Sequence, residues 1–167
     1  MSSDGSLLIY RRAGSLLPKR ELRAFASSLT ADVAEGRTFT CLLTDDRELA
    51  RLNQMFLSKA GPTDVLSFPS GEAKALGDIA ISVNRAAEQA TEHGHTLAEE
   101  VRILMLHGVL HLLGFDHERD RGAMGRAEKR WRSAYGLPSG LIERSGSQTA
   151  SQNKVLERKR AAARQST

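Results

Sequence analysis

Three histidines are spaced so that one metal ion could bind all of them. His107 and His111 lie four residues apart on a predicted helix, so their rings leave the same face one turn apart. Gly114 suits the left-handed turn at which helices commonly end, and the chain can reverse there to bring His117 back to the pair. Three imidazoles facing one point are typical of zinc with an open fourth position. The spacing therefore favours one zinc ion per chain, at the end of this helix, over three structural histidines held by hydrogen bonds.

The residue after the first histidine limits what such a zinc ion could do. Metalloproteases of the pattern H-E-x-x-H-x-x-G-x-x-H carry a glutamate there, which acts as the general base. This chain has Gly108 instead, which offers no base and indicates a close backbone approach, so peptidase chemistry is disfavoured. A zinc ion would still activate water and polarise a phosphoryl oxygen. Asp116 either orients a ligand histidine through its second ring nitrogen or caps the helix that follows.

The composition fits one globular domain without disulfide bonds. The chain has 167 residues, of which 40% are hydrophobic and 26% are charged, so it can bury a core, and wholesale disorder is excluded. No apolar run reaches the ~18 residues that a membrane span needs, and residues 1–6 lack the features of a secretory signal. We therefore expect a cytoplasmic protein without a membrane partner. The single cysteine, Cys41, stands in an apolar stretch and is expected to be buried.

The positive charge is concentrated in the last residues of the chain. The formal net charge is +4, and residues 144–167 alone hold six basic residues and one acid. Residues 145–153 are polar and lack the large apolar side chains whose burial would offset the entropy of ordering. We therefore expect a single domain over residues 1–143 and a basic, disordered tail over residues 144–167. The tail is either a solvated extension or an arm that adds salt-dependent affinity for phosphates.

Hydrophobic periodicity predicts a mixture of strands and helices. Runs of alternating or continuous apolar residues predict four strands, over residues 6–12, 37–44, 63–68 and 76–83. Apolar residues at three- and four-residue spacing predict five helices, from Pro18 to Gly36, from Asp45 through Phe56, over 84–93, from Thr96 through Leu112, and over 119–135. Strands mixed with helices indicate an α+β fold with the helices packed on one face of a small sheet.

Two of the predicted helices have recognisable starts. Asp45 with Glu48, and Thr96 with Glu99, each form the sequence pattern of a capping box. The helix that Thr96 opens carries the first two histidines and is expected to be apolar along one face. The last helix is expected to bury three residues, Met124, Ala127 and Trp131.

The segment His107–His117 resembles the signature of a known family. It follows the pattern His-Gly-x-Leu-His-Leu-x-Gly-[Tyr/Phe]-Asp-His, which is similar to that of the YbeY family, the bacterial endoribonucleases and rRNA maturation factors. The similarity extends along residues 45–130 in the family's order and spacing. Its further motifs are Leu52-Asn53, Pro62–Pro69, Leu76–Ile79, Met124 and Glu128.

This resemblance implies both a fold and an activity. The fold would be α+β with a small mixed four-stranded sheet and a zinc ion held by His107, His111 and His117. The activity would be that of a cytoplasmic, metal-dependent, single-strand-specific endoribonuclease acting in rRNA maturation, notably at the 3′ end of 16S rRNA, and in ribosome quality control. The expected partners are single-stranded rRNA, the small ribosomal subunit, an Era-type GTPase and other assembly factors.

One residue departs from the family pattern. Family members usually carry an arginine, linked to RNA cleavage, where this chain has Leu57. A leucine cannot give the bidentate contact to phosphate that arginine gives, although Lys59 could supply a point charge nearby. Lys59 and Asp116 are therefore the candidate catalytic residues, and Asp64 and Asp78 are further candidates for the cleft. The missing arginine and the missing glutamate base keep an alternative open, a non-catalytic ribosome-assembly factor whose zinc is structural.

Overall fold

The computed structural model of the chain describes residues 5–14, 16–58, 61, 63–116 and 121–138. Four strands, five α-helices and one π-helical turn follow one another in these ranges. In chain order they are β1 (Leu7–Tyr10), α1 (Lys19–Ser28), the π-helical turn (Leu29–Val33), β2 (Thr38–Thr44), α2 (Asp46–Leu57), β3 (Val65–Pro69), β4 (Ala75–Ser82), α3 (Val83–His93), α4 (Leu97–Leu112) and α5 (Ala123–Ala134).

The four strands form one mixed sheet in the order β1-β2-β4-β3. β1 pairs with β2 and β2 with β4 in parallel, whereas β3 and β4 are antiparallel. The expected α+β fold with a small mixed four-stranded sheet is therefore confirmed. The two predicted adjacent strands are β3 and β4, joined by a loop over residues 70–74.

A glycine in β4 permits the close pairing of β3 and β4. Gly77 pairs with Pro69 and has a φ of +142°. A Cβ atom at this position would lie 2.1 Å from the backbone carbonyl oxygen of Phe68, which is far inside van der Waals contact. The Leu76–Ile79 motif thus contains a glycine because any side chain there would push the two strands apart.

The main core lies between one face of the sheet and a buried central helix, α4. Odd-numbered strand residues such as Cys41, Ile79 and Ile81 point toward it, together with Leu22 and Leu29 from the first helical segment. α4 contacts α1, α3, α5, β3 and β4 and is buried on almost every side. The helix is buried well beyond the one apolar face that the sequence predicted, because a helix surrounded by other elements must be apolar all round.

The opposite face of the sheet is covered in part by α2. Leu49 packs there against Leu66 and Ala80, with Leu52 and Phe68 at the margin. The expectation that all the helices pack on one face of the sheet was therefore wrong. Alternation along the strands makes this second face possible, because Leu66 and Ala80 point away from α4.

The helix starts follow the predicted caps with one exception. The hydroxyl of Thr96 accepts a hydrogen bond from the backbone N–H of Glu99, and the Glu99 carboxylate accepts one from the N–H of Thr96, so this capping box is complete. Asp45 caps α2 in the same way. Glu48, however, accepts hydrogen bonds from Arg51 one turn later, and this pairing lowers its pKa.

The last helix starts later than predicted and buries a residue that we did not predict. α5 begins at Ala123 rather than at residue 119, with Gly122 in a left-handed conformation before it. Met124 is fully buried, Ala127 and Trp131 are half-buried, and Glu128 is buried as well. The boundary expected at residue 143 and the tail over 144–167 lie outside the described residues. None of the described helices is long and apolar enough to cross a membrane.

Candidate metal centre and cleft

Two of the three predicted ligands meet at the C-terminal end of α4. The Nε2 atoms of His107 and His111 lie 3.1 Å apart, and the two rings meet edge to face. The four-residue spacing on a regular helix produces this convergence, as the sequence predicted. His117, the third predicted ligand, lies outside the described residues.

The arrangement of the two nitrogens fits a zinc ion. Two nitrogens that bind one tetrahedral zinc at about 2.0 to 2.1 Å each are separated by ~3.3 Å. The 3.1 Å between the two Nε2 atoms requires almost no movement to reach that spacing. Within the described ranges, no group of three His, Cys, Asp or Glu side chains is arranged so that it could hold a metal ion. A third ligand, if it is a histidine of the motif, must therefore come from residue 117.

A buried carboxylate contacts the other nitrogen of His107. Oε2 of Glu128 lies 3.0 Å from Nδ1 of His107, and both side chains are almost fully buried. The sequence alone predicts no role for Glu128 beyond its place among the family motifs. The sequence does indicate that Glu128 is buried, because it lies one turn after Met124 and so falls on the buried face of α5.

The two histidines open onto a cleft of about 520 Å³ between α2, β3 and α4. Among the described residues that line it, none is a lysine or an arginine. Leu57, at the end of α2, is 43% exposed and faces this cleft. The lining residues are Asn53, Leu57, Thr63, Asp64, Val65, Leu66, Ser67, Pro69, His107 and His111.

Two polar residues of the family motifs, Asn53 and Ser67, form hydrogen bonds that connect the walls of the cleft. The amide Nδ2 of buried Asn53 donates a 3.0 Å hydrogen bond to the carbonyl oxygen of Gly61, which ties α2 to the segment before β3. The hydroxyl of Ser67 donates a 3.2 Å hydrogen bond to the carbonyl oxygen of Gly108, which ties β3 to α4. The Asn53 and Ser67 side chains therefore fix the distance between the histidines and the two walls opposite them.

The two further aspartates point to different faces of the sheet. Asp64 lines the cleft, but its Oδ1 accepts a 2.8 Å hydrogen bond from the N–H of Val65, and its Oδ2 accepts one of 3.1 Å from Nε2 of Gln89. Its carboxylate thus ties the start of β3 to α3. Asp78 was expected in the cleft and is not there, because it lies on the opposite face in a groove with Leu42 and Phe56.

The structure describes one of the two candidate catalytic residues. Asp116 is half-buried in the segment after α4. Lys59 lies outside the described residues. The role of Asp116 in orienting a ligand histidine stays a prediction.

Gly108 serves the close approach that the sequence predicted. A Cβ atom at this position would lie 2.9 Å from Cγ2 and 3.0 Å from Cδ1 of Ile79 on β4. The residue after His107 therefore faces the sheet rather than the cleft. A glutamate at position 108 would meet β4 before it could reach the histidines.

Comparison with known proteins identifies the family. The family model described as Endoribonuclease YbeY matches residues 16–136. A relative from Solibacter usitatus named Endoribonuclease YbeY is 56% identical over 143 residues, which cover 86% of this chain and 97% of the relative. The chain belongs to the YbeY family. A second YbeY relative, from Koribacter versatilis, is 51% identical over 119 residues, or 71% of this chain and 76% of the relative.

A solved structure agrees with the fold. The solution structure of TM1509 from Thermotoga maritima matches with a TM-score of 0.56 and 27% identity. The match covers 78% of this chain and 89% of TM1509. The YbeY family model spans the described domain from α1 to the end of α5, and the histidine pair, Glu128 and the cleft walls all lie inside it.

Proposed function

We propose that this protein is a zinc-dependent, single-strand-specific endoribonuclease that acts in rRNA maturation, notably at the 3′ end of 16S rRNA, and in ribosome quality control. The observation that carries the proposal is the convergence of two histidine Nε2 atoms, 3.1 Å apart, on an open cleft in a chain of the YbeY family. Relatives named Endoribonuclease YbeY support RNA as the substrate. The ligands would be His107, His111 and His117, with one zinc ion per chain.

Different residues of the chain would have different roles in such a reaction. A bound zinc ion supplies Lewis acidity at the phosphoryl group and activates water. α4 holds the two described histidines rigidly, because it is buried on almost every side. The Asn53 and Ser67 side chains in the cleft walls are already engaged in hydrogen bonds within the fold. Lys59 would place a positive charge near the phosphate, and Asp116 would orient a ligand histidine.

The proposed cellular setting is the one that the family resemblance implies. The proposed partners are single-stranded rRNA, the small ribosomal subunit, an Era-type GTPase and other assembly factors, all in the cytoplasm. The basic residues of the segment 144–167 would add affinity for RNA phosphates that falls as salt rises.

A second function is favoured by the chemistry of the cleft lining. The described lining residues include no lysine or arginine, and Leu57 stands where the family usually has an arginine. These features favour a non-catalytic ribosome-assembly factor in which zinc is structural. Such a protein would bind small-subunit particles and zinc but would not cleave RNA.

Metal content and RNA cleavage, measured together, decide between the two. We expect about one zinc ion per chain in the purified protein, and cleavage of single-stranded RNA that a chelator abolishes. His111→Ala should remain folded and lower cleavage on the order of 100-fold or more, because it removes one ligand. His93→Ala, which replaces a histidine at the end of α3, is the matched control and should cleave at the wild-type rate. Zinc-loaded wild-type protein that binds small subunits without cleaving RNA would favour the assembly factor.

A further inference from the structure

We propose that Glu128 is the positioning residue of the metal centre, and that its buried carboxylate fixes the ring of His107 so that Nε2 faces the cleft. This inference rests on the proposed function, since it assigns a residue to the same site. It concerns the binding of the metal and is independent of whether RNA is cleaved.

The contact is direct and almost fully removed from water. Oε2 of Glu128 lies 3.0 Å from Nδ1 of His107, and the two side chains are 2% and 8% exposed. It joins α5 to α4 across 21 residues of sequence. An ionised carboxylate only accepts hydrogen bonds, so the proposed arrangement has Nδ1 of His107 as the donor.

This hydrogen bond selects one form of the His107 ring. A neutral imidazole carries its proton on one nitrogen only, and the hydrogen bond at one nitrogen decides which form is present. With the proton on Nδ1, the lone pair of Nε2 points toward Nε2 of His111, 3.1 Å away. Without Glu128, the proton is free to move to Nε2, which would block the atom that must bind the metal.

A purely structural role does not explain a carboxylate at this position. Burying a charged group is costly, and replacing a whole buried pair by apolar residues of similar volume is often neutral or stabilising, so stability alone does not account for the contact between Glu128 and His107. One turn earlier on the same helix, Met124 is fully buried. The core beneath α5 therefore accepts an unbranched apolar side chain, and the carboxylate at residue 128 serves the histidine that it contacts.

The test compares Glu128→Met, Glu128→Gln and Tyr135→Phe in the full chain. Met fills the same space without accepting a hydrogen bond, whereas Gln can still accept one through its carbonyl oxygen. Tyr135→Phe is the control, because it loosens α5 at its far end by removing the hydrogen bonds from the Tyr135 hydroxyl to Asp32 and Ser28. The measurements are zinc affinity by competition with a chelating dye, the melting temperature without metal, and the ¹⁵N shifts of the His107 ring.

We expect the effect on metal binding to exceed what a loss of stability alone produces. Glu128→Met should weaken zinc binding about 10- to 100-fold, the usual effect of losing such a partner. Its metal-free melting temperature should also fall, because the variant gives up a buried hydrogen bond. Its His107 ring should lose the Nδ1–H pattern of the wild type. Glu128→Gln should fall between wild type and Glu128→Met, and Tyr135→Phe should melt earlier with unchanged zinc affinity.

Three results would overturn the inference. The first is zinc affinity of Glu128→Met within about twofold of wild type, since loss of an orienting partner costs far more. The second is an unchanged His107 ¹⁵N pattern in that variant. The third is a wild-type protein that does not bind zinc, which would overturn the proposed function as well. If wild-type protein binds zinc but does not cleave RNA, only the proposed function fails.

Discussion

The leucine at position 57 faces the cleft with 43% of its surface exposed. Its place at the end of α2 lets a longer side chain reach toward the histidines without entering the core. We predict that Leu57→Arg raises the rate of RNA cleavage about tenfold, because a guanidinium forms charge-assisted hydrogen bonds to a phosphate. The measurement is kcat/KM on a single-stranded RNA.

The gain should depend on charge and on ionic strength. Leu57→Gln offers similar length and hydrogen-bonding groups without the charge, so it should stay near the wild-type rate. The advantage of Leu57→Arg should shrink as salt screens the contact. An equal gain in both variants would show that a hydrogen bond, rather than charge, limits the reaction.

Gly108 lies on α4 where the helix packs too closely against β4 to leave room for a side chain. Alanine is preferred over glycine in helices by up to ~1 kcal/mol, so Gly108→Ala would stabilise an uncrowded helix. Here the added Cβ would lie 2.9 to 3.2 Å from three side-chain atoms of Ile79. We predict a net loss of about 1 to 2 kcal/mol in the free energy of unfolding, measured by urea denaturation.

A double-mutant cycle identifies the cause of that loss. Ile79→Ala removes the atoms that crowd residue 108, at the cost of a cavity. In the Ile79→Ala background, Gly108→Ala should be neutral or stabilising, which gives a favourable coupling between the two positions. Independent, additive losses would mean that Gly108 is needed for something other than its contact with β4.

Among the helices, α4 has the most complete N-terminal cap. The N–H of Thr96 donates a 2.9 Å hydrogen bond to the Glu99 carboxylate, and this bond lowers the pKa of Glu99 below its usual value of 4.5. A lowered folded-state pKa stabilises the fold above the unfolded pKa, and that stabilisation is lost as the pH falls through the folded pKa. The contribution of the charge should therefore be present at pH 7 and fade below about pH 4.5.

Glu99→Gln tests this dependence directly. The glutamine keeps a hydrogen-bond acceptor but never carries the charge. We predict that the variant loses about 0.5 kcal/mol in the free energy of unfolding at pH 7, and that it matches the wild type at pH 3. The measurement is the urea midpoint at both pH values. The control is Glu92→Gln, an exposed glutamate on α3, whose effect should not follow this pattern.

Local sequence patterns predicted most of the helices and strands, and they predicted the convergence of His107 and His111. The caps at Asp45 and Thr96 and the four-residue histidine spacing depend on residues within one or two turns, so they can be recognised in the sequence. The resemblance to the family also predicted that the four-stranded sheet is mixed. The strand starts and ends differ from the predicted ones by two residues at most, because the pairing of β2 with β4 and of β3 with β4 decides where a strand ends.

What could not be predicted depends on contacts between distant parts of the chain. Strand alternation requires Asp78 and Ile79 to face opposite ways, but it does not say which face α4 covers. The contact of Glu128 with His107 depends on how α5 packs on α4, which no local pattern contains. The burial of α4 on almost every side follows from its neighbours rather than from its own apolar spacing.

The main core of the domain contains one free thiol. Cys41 is fully buried on β2, where it pairs with Leu8 on one side and with Ile79 on the other. Burial raises the pKa of the Cys41 thiol to about 12. Because the thiolate is the reactive form, the native protein should react with thiol reagents only when the core opens.

The rate of that reaction therefore measures the opening of the domain, and zinc should slow it. A ligand that binds the folded state alone lowers the population of opened chains by a factor of 1 + [zinc]/Kd, so free zinc at 100 times Kd should slow labelling of Cys41 about 100-fold. The experiment follows labelling with an aromatic disulfide at several zinc concentrations and after chelation. His111→Ala should react faster than wild type in zinc and show little protection, because the effect requires the metal centre. If wild-type protein is labelled quickly and zinc does not change the rate, β2 must open separately from α4. The buried core would then not be a single cooperative unit.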